Sequence, residues 1–298
     1  MNLSPAKTQE PVTILMIPFD QYSVFPASVD ALYKETRYPF KLIVIEGNAP
    51  DNIRHELEKR QKKYGDLKII YSNHRPRMAE AFNLGLAHIR TPKAFFMHNN
   101  LRVTPGWLSN LMEMAKHQTG VICPYVSYAQ ENLSQTYPGD YTVTFSQGRV
   151  KEANEVDMHG FLITKAILKE LGEFDESVST PLVGVDLGHR LRTKEILVNR
   201  DPYTVIEYLA PAVFKGADLQ LFKHQWDDEH TRRTLAYLSE KWSISLDEKK
   251  YLEWLAKKRS LCEKKPVLPP PAGPHERTLR MDEPKLGLKK FIQVLRRA

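Results

Sequence analysis

Apolar residues in the first hundred positions fall into short blocks separated by two alternating kinds of polar segment. VTILMI (12–17) is an unbroken apolar run stopped by Pro18, which predicts a strand buried on both faces. In SVFPASVDALYKET, Val29, Leu32 and Tyr33 recur at helical spacing. KLIVIEG (41–47), LKIIYSN (67–73) and KAFFMHN (93–99) predict three more strands. Between and after them, NIRHELEKRQKKYG (52–65), MAEAFNLGLAHIR (78–90) and GWLSNLMEMAKH (106–117) predict helices, the first ended by Gly65. This alternation predicts βαβ units, an α/β fold with a mostly parallel sheet flanked by helices. In such sheets ligands bind at the carboxyl ends of the strands. Each predicted strand ends in polar or turn residues: Pro18-Phe19-Asp20, Glu46-Gly47-Asn48, Ser72-Asn73 and His98-Asn99-Asn100.

The second half is more mixed. TVTFSQGRVKEANEVDMHGFLITKAIL reads as strand, turn, strand and then a helix from about Lys165; GVDLGHRLRTK reads as a short helix and YTVIEYL as a strand. Amphipathic helices are expected at 227–242 and 246–258. KKPVLPPPAGP (264–274) predicts a semi-rigid linker. LGLKKFIQVLRRA then places Leu288, Phe291, Ile292 and Leu295 on one face with Lys and Arg opposite. The expected organisation is a loose N-terminus (1–10), a main domain (11–245), a C-terminal helix (246–263), a proline-rich linker (264–280) and a basic amphipathic helix (281–298).

Composition narrows the function classes. The 298 residues carry a net charge of +7, concentrated after residue 256, a mild bias toward anionic partners. Cys123 and Cys262 are far apart and lie in no CxxC or Cys/His spacing, which argues against a disulfide framework or a structural zinc site. No GxGxxG follows the first strand and no GxxxxGKS occurs, which disfavours dinucleotide and P-loop sites. No clustered basic-aromatic motif is present, so nucleic acid is not an expected partner. The N-terminus has no apolar h-region and no run approaches the roughly 18 residues of a membrane span. A cytoplasmic location is expected, with peripheral membrane contact through the basic helix at 285–298 as an option beside packing on protein.

From about Val12 to Trp242 the chain resembles a family 2 glycosyltransferase of GT-A fold. VTILMIPFDQ is similar to the family's opening strand, and LIVIEGNAPDN to its second, where an acid contacts the nucleotide; Glu46 falls there. NHRPRMAEAFNLGLAHI resembles its Asn-rich segment, with Asn73, Asn83 and Gly85 matching. FFMHNNLRVTPGWL stands where the family has its metal-binding Asp-x-Asp, followed by the same Pro-Gly-Trp-Leu; here His98 and Asn100 replace the two acids. VDMHGFLITKAILKELGEFDE is close to the acceptor-side segment, and VDLGHRLR resembles the Asp-Leu-x-x-Arg-Leu motif, with Gly184 where many members carry a second acid.

The resemblance implies inverting transfer of a sugar from a nucleotide-diphosphate donor to a hydroxyl of a glycan, lipid-linked or protein acceptor. Such chemistry needs a nucleotide site, positive charge for the leaving diphosphate and a base for the acceptor proton. Asp186 is the expected base, or else an N-terminal helix acid without chemistry. Glu46 is expected to hold the nucleobase or ribose, or else is a loop acid. Phe19, Asn73, Arg77, Asn83, His98, Asn99, Asn100 and Arg190 complete the expected donor set, with Arg190 alternatively pairing with Asp186. His224 is a further candidate for diphosphate. For His98 and Asn100 three accounts stand: a weak manganese or magnesium site completed by the diphosphate, a metal-free site using Arg or Lys, or a relic. The rival from another class is a non-catalytic binding or scaffold protein of the same fold.

Overall fold

A computed structural model describes residues 9–128, 156–209 and 214–263. The predicted strand and turn within 141–155, the proline-rich linker and the basic helix lie outside the described residues. The strands β1 (Val12–Ile17), β2 (Phe40–Ile45), β3 (Leu67–Ile70) and β4 (Lys93–His98) alternate with α1 (Phe25–Glu35), α2 (Asp51–Lys63) and α3 (Met78–Leu86), as the apolar blocks predict. These four strands pair in parallel in the order β3-β2-β1-β4. The sheet continues through four strands that follow β4 in the chain. They are β5 (Leu101–Val103), β6 (Val121–Tyr128), β7 (Gly160–Thr164) and β8 (Val198–Tyr208), giving the full order β3-β2-β1-β4-β7-β6-β8-β5. β7 runs antiparallel to β4 and β6, β6 and β8 are parallel, and β5 closes the edge antiparallel to β8.

The sheet is covered on both faces, which is why its strands read as continuous apolar runs. Leu15, Ile17, Ile43, Ile45, Phe96 and Phe161 point into one core with α3 and with α5 (Lys165–Leu171) and α6 (Val183–Arg192). Ile14, Met16, Leu42, Val44, Phe95 and Met97 point into the other, with α1, α2 and α4 (Trp107–Met114). α3 lies close against β1: a Cβ at Gly85 would stand 2.4 Å from Leu15 Cδ1. The Pro-Gly-Trp stretch is a structural anchor. Gly106 adopts φ +80° ahead of α4, which lets Trp107 turn inward. There the indole is fully buried, edge-on to Phe95, and donates to Thr36 Oγ1 at 2.9 Å.

Three further helices complete the described chain: α7 (Gly216–Gln225), α8 (Asp228–Trp242) and α9 (Glu248–Glu263). The spacing of apolar residues anticipates α8 and α9 but not α7. No helix among the described residues is long and apolar enough to cross a membrane.

Candidate functional site

The parallel register sets the carboxyl ends of β1 and β4 side by side, with Ile17 opposite His98. Phe19, Asp20, His98, Asn99 and Asn100 meet there, all completely buried. Asn99 works as a clamp on the loop after β1. Its Oδ1 accepts from Phe19 N at 3.1 Å, its Nδ2 donates to Gln21 O at 2.6 Å, and its backbone N donates to Ile17 O. Asn100 Nδ2 donates to Asp20 Oδ2 at 2.8 Å. Asp20 also accepts from Trp226 Nε1 at 2.7 Å and from the Tyr208 hydroxyl, so neutral donors from three distant segments surround this buried carboxylate.

His98 is stacked on Phe19, with ring centroids 3.8 Å apart and planes 17° from parallel. Neither of its ring nitrogens has a hydrogen-bond partner. Burial first, then the positive fields of His159 and Lys258, hold its basicity well below the ordinary histidine value. His159 lies 5.4 Å away, ring to ring, and its Nδ1 is 2.8 Å from Asp157 Oδ1. Burial opposes ionisation of Asp157, yet His159 and Arg200 outweigh it and keep the carboxyl below its usual range. Lys258 reaches in from α9, its ammonium 3.7 Å from the Trp226 ring centroid and 5.4–5.5 Å from those of Tyr208 and Phe19.

The end of β2 joins this region through a tight turn. Gly47 and Asn48 take left-handed backbone angles, and a Cβ at Gly47 would stand 2.5 Å from Pro18. Tyr22 OH donates to Gly47 O at 2.5 Å. Glu46 is fully buried; it accepts from Asn48 N at 2.9 Å and pairs with Arg54 at 3.0 Å. Arg75 reaches over this side and donates to Gln220 on α7.

Phe19, Glu46, His98, Asn99 and Asn100 thus lie on adjoining strand ends, and the other expected residues go elsewhere. Asn73 is exposed and bonds to its neighbour His74. Asn83 docks the loop after α5, exchanging hydrogen bonds with Phe174 and reaching Glu176. Arg77 donates to His224 O at 2.6 Å, which pins α7 to the start of α3. His224 itself is held neutral, its pKa pushed down to about 4 by burial and then by Arg77 and Arg75.

Asp186, the expected base, lies buried in the first turn of α6. Its Oδ1 accepts from Lys241 Nζ at 2.8 Å and Trp242 Nε1 at 3.0 Å, tying α6 to the end of α8. Arg190 lies 4.0 Å from it and donates to Glu173 O and Leu171 O at the end of α5. At Gly184, where an acid is usual in the resembled motif, a Cβ would stand 2.4 Å from Val156 O, so this backbone admits no side chain.

The metal expectation rests on His98 and Asn100. A hard divalent cation needs carboxylate charge among its oxygen ligands. His98 and Asn100 Oδ1 are buried and unpartnered, but Asp20 beside them is already taken up by three donors. An ammonium stands over the same rings. Among the described residues no three His, Cys, Asp or Glu side chains converge in a metal-binding group. Asp20, Tyr208, Trp226 and Lys258 were not singled out from sequence. The available signals were the acid directly after Phe19 and the 251, 255, 258 helical spacing on α9.

Comparison with known proteins agrees with this architecture. The sequence model described as Glycosyl transferase family 2 matches residues 13–172, more than half of the chain. In structure, the chain is similar to GalNAc-T7 with UDP, GalNAc and Mn2+, at 12% identity and a TM-score of 0.57, over 87% of this chain and 55% of that one. It is similar to the mannosyltransferase PcManGT from Pyrobaculum calidifontis in complex with GDP-Man and Mn2+, at 15% identity and a TM-score of 0.54, over 86% of each chain. It is also similar to S. aureus TarS, at 11% identity and a TM-score of 0.54, over 84% of this chain and 43% of that one. The chain therefore spans just over half the length of the first of these, and likeness at such identities establishes the fold alone. No curated protein matches it.

Proposed function

The chain belongs to glycosyl transferase family 2, and on that premise we propose that it moves a sugar from a nucleotide-diphosphate donor to an acceptor hydroxyl, with inversion. The acceptor class is a glycan, a lipid-linked saccharide or a protein. The observation that carries this reading is the convergence of Phe19, Glu46 and His98–Asn100 on adjoining carboxyl ends of β1, β2 and β4, the edge where α/β sheets bind ligands. UDP and GDP-Man in the similar solved structures support a nucleotide-sugar donor.

In this reading Glu46, fixed by Arg54, recognises the nucleoside, and the β4 end faces the diphosphate. Asp186 has a structural role. The proton acceptor is His159, which Asp157 orients beside His98. A second reading, a non-catalytic binding protein, draws on the complete burial of the strand ends and on the closed backbone at Gly184.

Donor hydrolysis and transfer by the full chain, measured over a panel of UDP-, GDP- and dTDP-sugars, separates the two. Turnover that H159Q removes while nucleotide binding persists is the expected result. Binding without turnover of any donor would favour the second reading, and no binding of any nucleotide would refute both.

A further inference from the structure

We propose that the base of the nucleotide donor lies on the open surface at the carboxyl ends of β2 and β3, stacked on Tyr71 beside Arg54. This inference rests on the nucleotide-donor reading above. The side chains at the ends of β1 and β4 are completely buried, and so is Glu46 after β2. Tyr71, directly after β3, is 51% exposed. Parallel pairing sets Ile45 opposite Ile70, and Glu46 N donates to Ile70 O at 2.9 Å, so Glu46 and Tyr71 leave the sheet as neighbours. The Tyr71 hydroxyl donates to Glu58 Oε1 at 3.3 Å, which ties the ring to α2 by its edge. Arg54, in the first turn of α2, donates to Glu46 Oε1 from Nε at 3.1 Å and from Nη2 at 3.0 Å, and its side chain stays 34% exposed. Glu46 meets its charge, so what Arg54 offers a ligand is a flat guanidinium held in place. Burial first, then the charges of Glu58 and Glu46, raise the Tyr71 hydroxyl above its ordinary pKa, with Arg54 opposing them.

Four large apolar side chains stay exposed among the described residues: Tyr71, Leu197, Tyr203 and Tyr237. Of these, Tyr71 alone stands at the carboxyl edge of β1 to β4, where α/β sheets bind ligands. A nucleobase is a flat ring that stacks on an aromatic face, and the contact removes apolar surface of both from water. The guanidinium beside Tyr71 extends this platform, since arginine also stacks on flat rings. Glu46 lies behind it with both oxygens occupied, Oε2 by Asn48 N at 2.9 Å and Oε1 by Arg54. It therefore acts on the nucleoside through Arg54. A ring half in solvent is open to a ligand without any element of the fold moving. No bond is made or broken at this surface; Tyr71 and Arg54 bind the donor by its base.

The test is calorimetric titration of the full chain with UDP and GDP, each with and without magnesium, beside inorganic diphosphate. Wild type, Y71A, Y71L, Y71F and Y71W are compared, with Y203A as a control for loss of an exposed tyrosine elsewhere. The expected result is that Y71A and Y71L each weaken the nucleotide that wild type binds by about fivefold to a hundredfold and leave inorganic diphosphate unaffected. Y71F and Y71W should stay within about threefold of wild type, because the ring binds and its hydroxyl does not. Y203A should match wild type. Equal nucleotide affinity of Y71A and wild type would overturn the inference while leaving the donor reading intact. A loss that Y71F shares would overturn it as well, since the bond to Glu58 would then carry the effect. If no nucleotide binds wild type under any condition, the donor reading falls and this inference with it. Should Y71A fail to fold, Y71L decides the matter, since it keeps apolar bulk and loses the flat face.

Discussion

Replacing His98 with phenylalanine should stabilise the protein, and more so in mild acid. The ring is fully buried and stacked on Phe19 at 3.8 Å, and both nitrogens lack a partner. A buried polar group without a hydrogen bond costs about 1–3 kcal/mol, and phenylalanine removes both nitrogens. Its slightly larger ring returns part of that through crowding, which leaves a gain of about 1–3 kcal/mol near pH 7.5. The pH term adds to this. Burial keeps folded His98 neutral, while in the unfolded chain it takes up a proton below about pH 6.5. The unfolded state therefore binds more protons, and wild-type stability falls as pH drops. Between pH 7.5 and 5.5 one such histidine accounts for about 1.4 kcal/mol, so the advantage of H98F should widen by that amount. Urea denaturation at the two pH values, with equal m-values as a control on cooperativity, measures both terms. If H98F is less stable at pH 7.5, the ring nitrogens have a polar partner and the reasoning is wrong.

Three other outcomes follow from the same contacts. D186N should lower stability by about 1–3 kcal/mol in urea titrations, because Lys241 keeps Asp175 at 2.6 Å but loses its bond to Asp186. Nucleotide affinity should stay within about twofold of wild type, and a larger loss would return Asp186 to the site. G184D, which restores the family's acid, should destabilise by about 2–3 kcal/mol or more without creating activity, since its Cβ would meet Val156 O at 2.4 Å. Asp175 resists ionisation through burial, but Lys241 and Tyr237 outweigh that and lower its pKa to about 2. Its contribution is complete above the unfolded value of about 3.9 and is lost as pH falls toward 2. D175N should flatten wild-type stability over that window in denaturation midpoints taken from pH 5 to pH 2.

The amino-acid sequence alone determined β1 to β4 and the helices between them. Strands buried on both faces must be apolar throughout, and helices covering them must repeat their apolar residues at 3.6-residue spacing. It also marked the strand ends, since His98-Asn99-Asn100 after an apolar run has no place in a core unless something meets it. The rest of the sheet was not legible in this way. β5 is a three-residue strand whose partner β8 lies about a hundred residues later, and β6 gains its place only between β7 and β8. α7 follows no clean apolar stripe because Leu221 and Phe222 serve opposite cores.

The roles of individual side chains were decided by the tertiary structure. Asp186, Asn83 and Arg190 match family motifs by position, yet each is taken up by a partner between 17 and 93 residues away. Asp20, Tyr208, Trp226 and Lys258 carry no motif, and only packing gathers them around His98. A carboxylate's chemistry depends on which donors already fill its lone pairs, and a cation's on what lies under it. Both are facts of three-dimensional contact that local spacing does not encode.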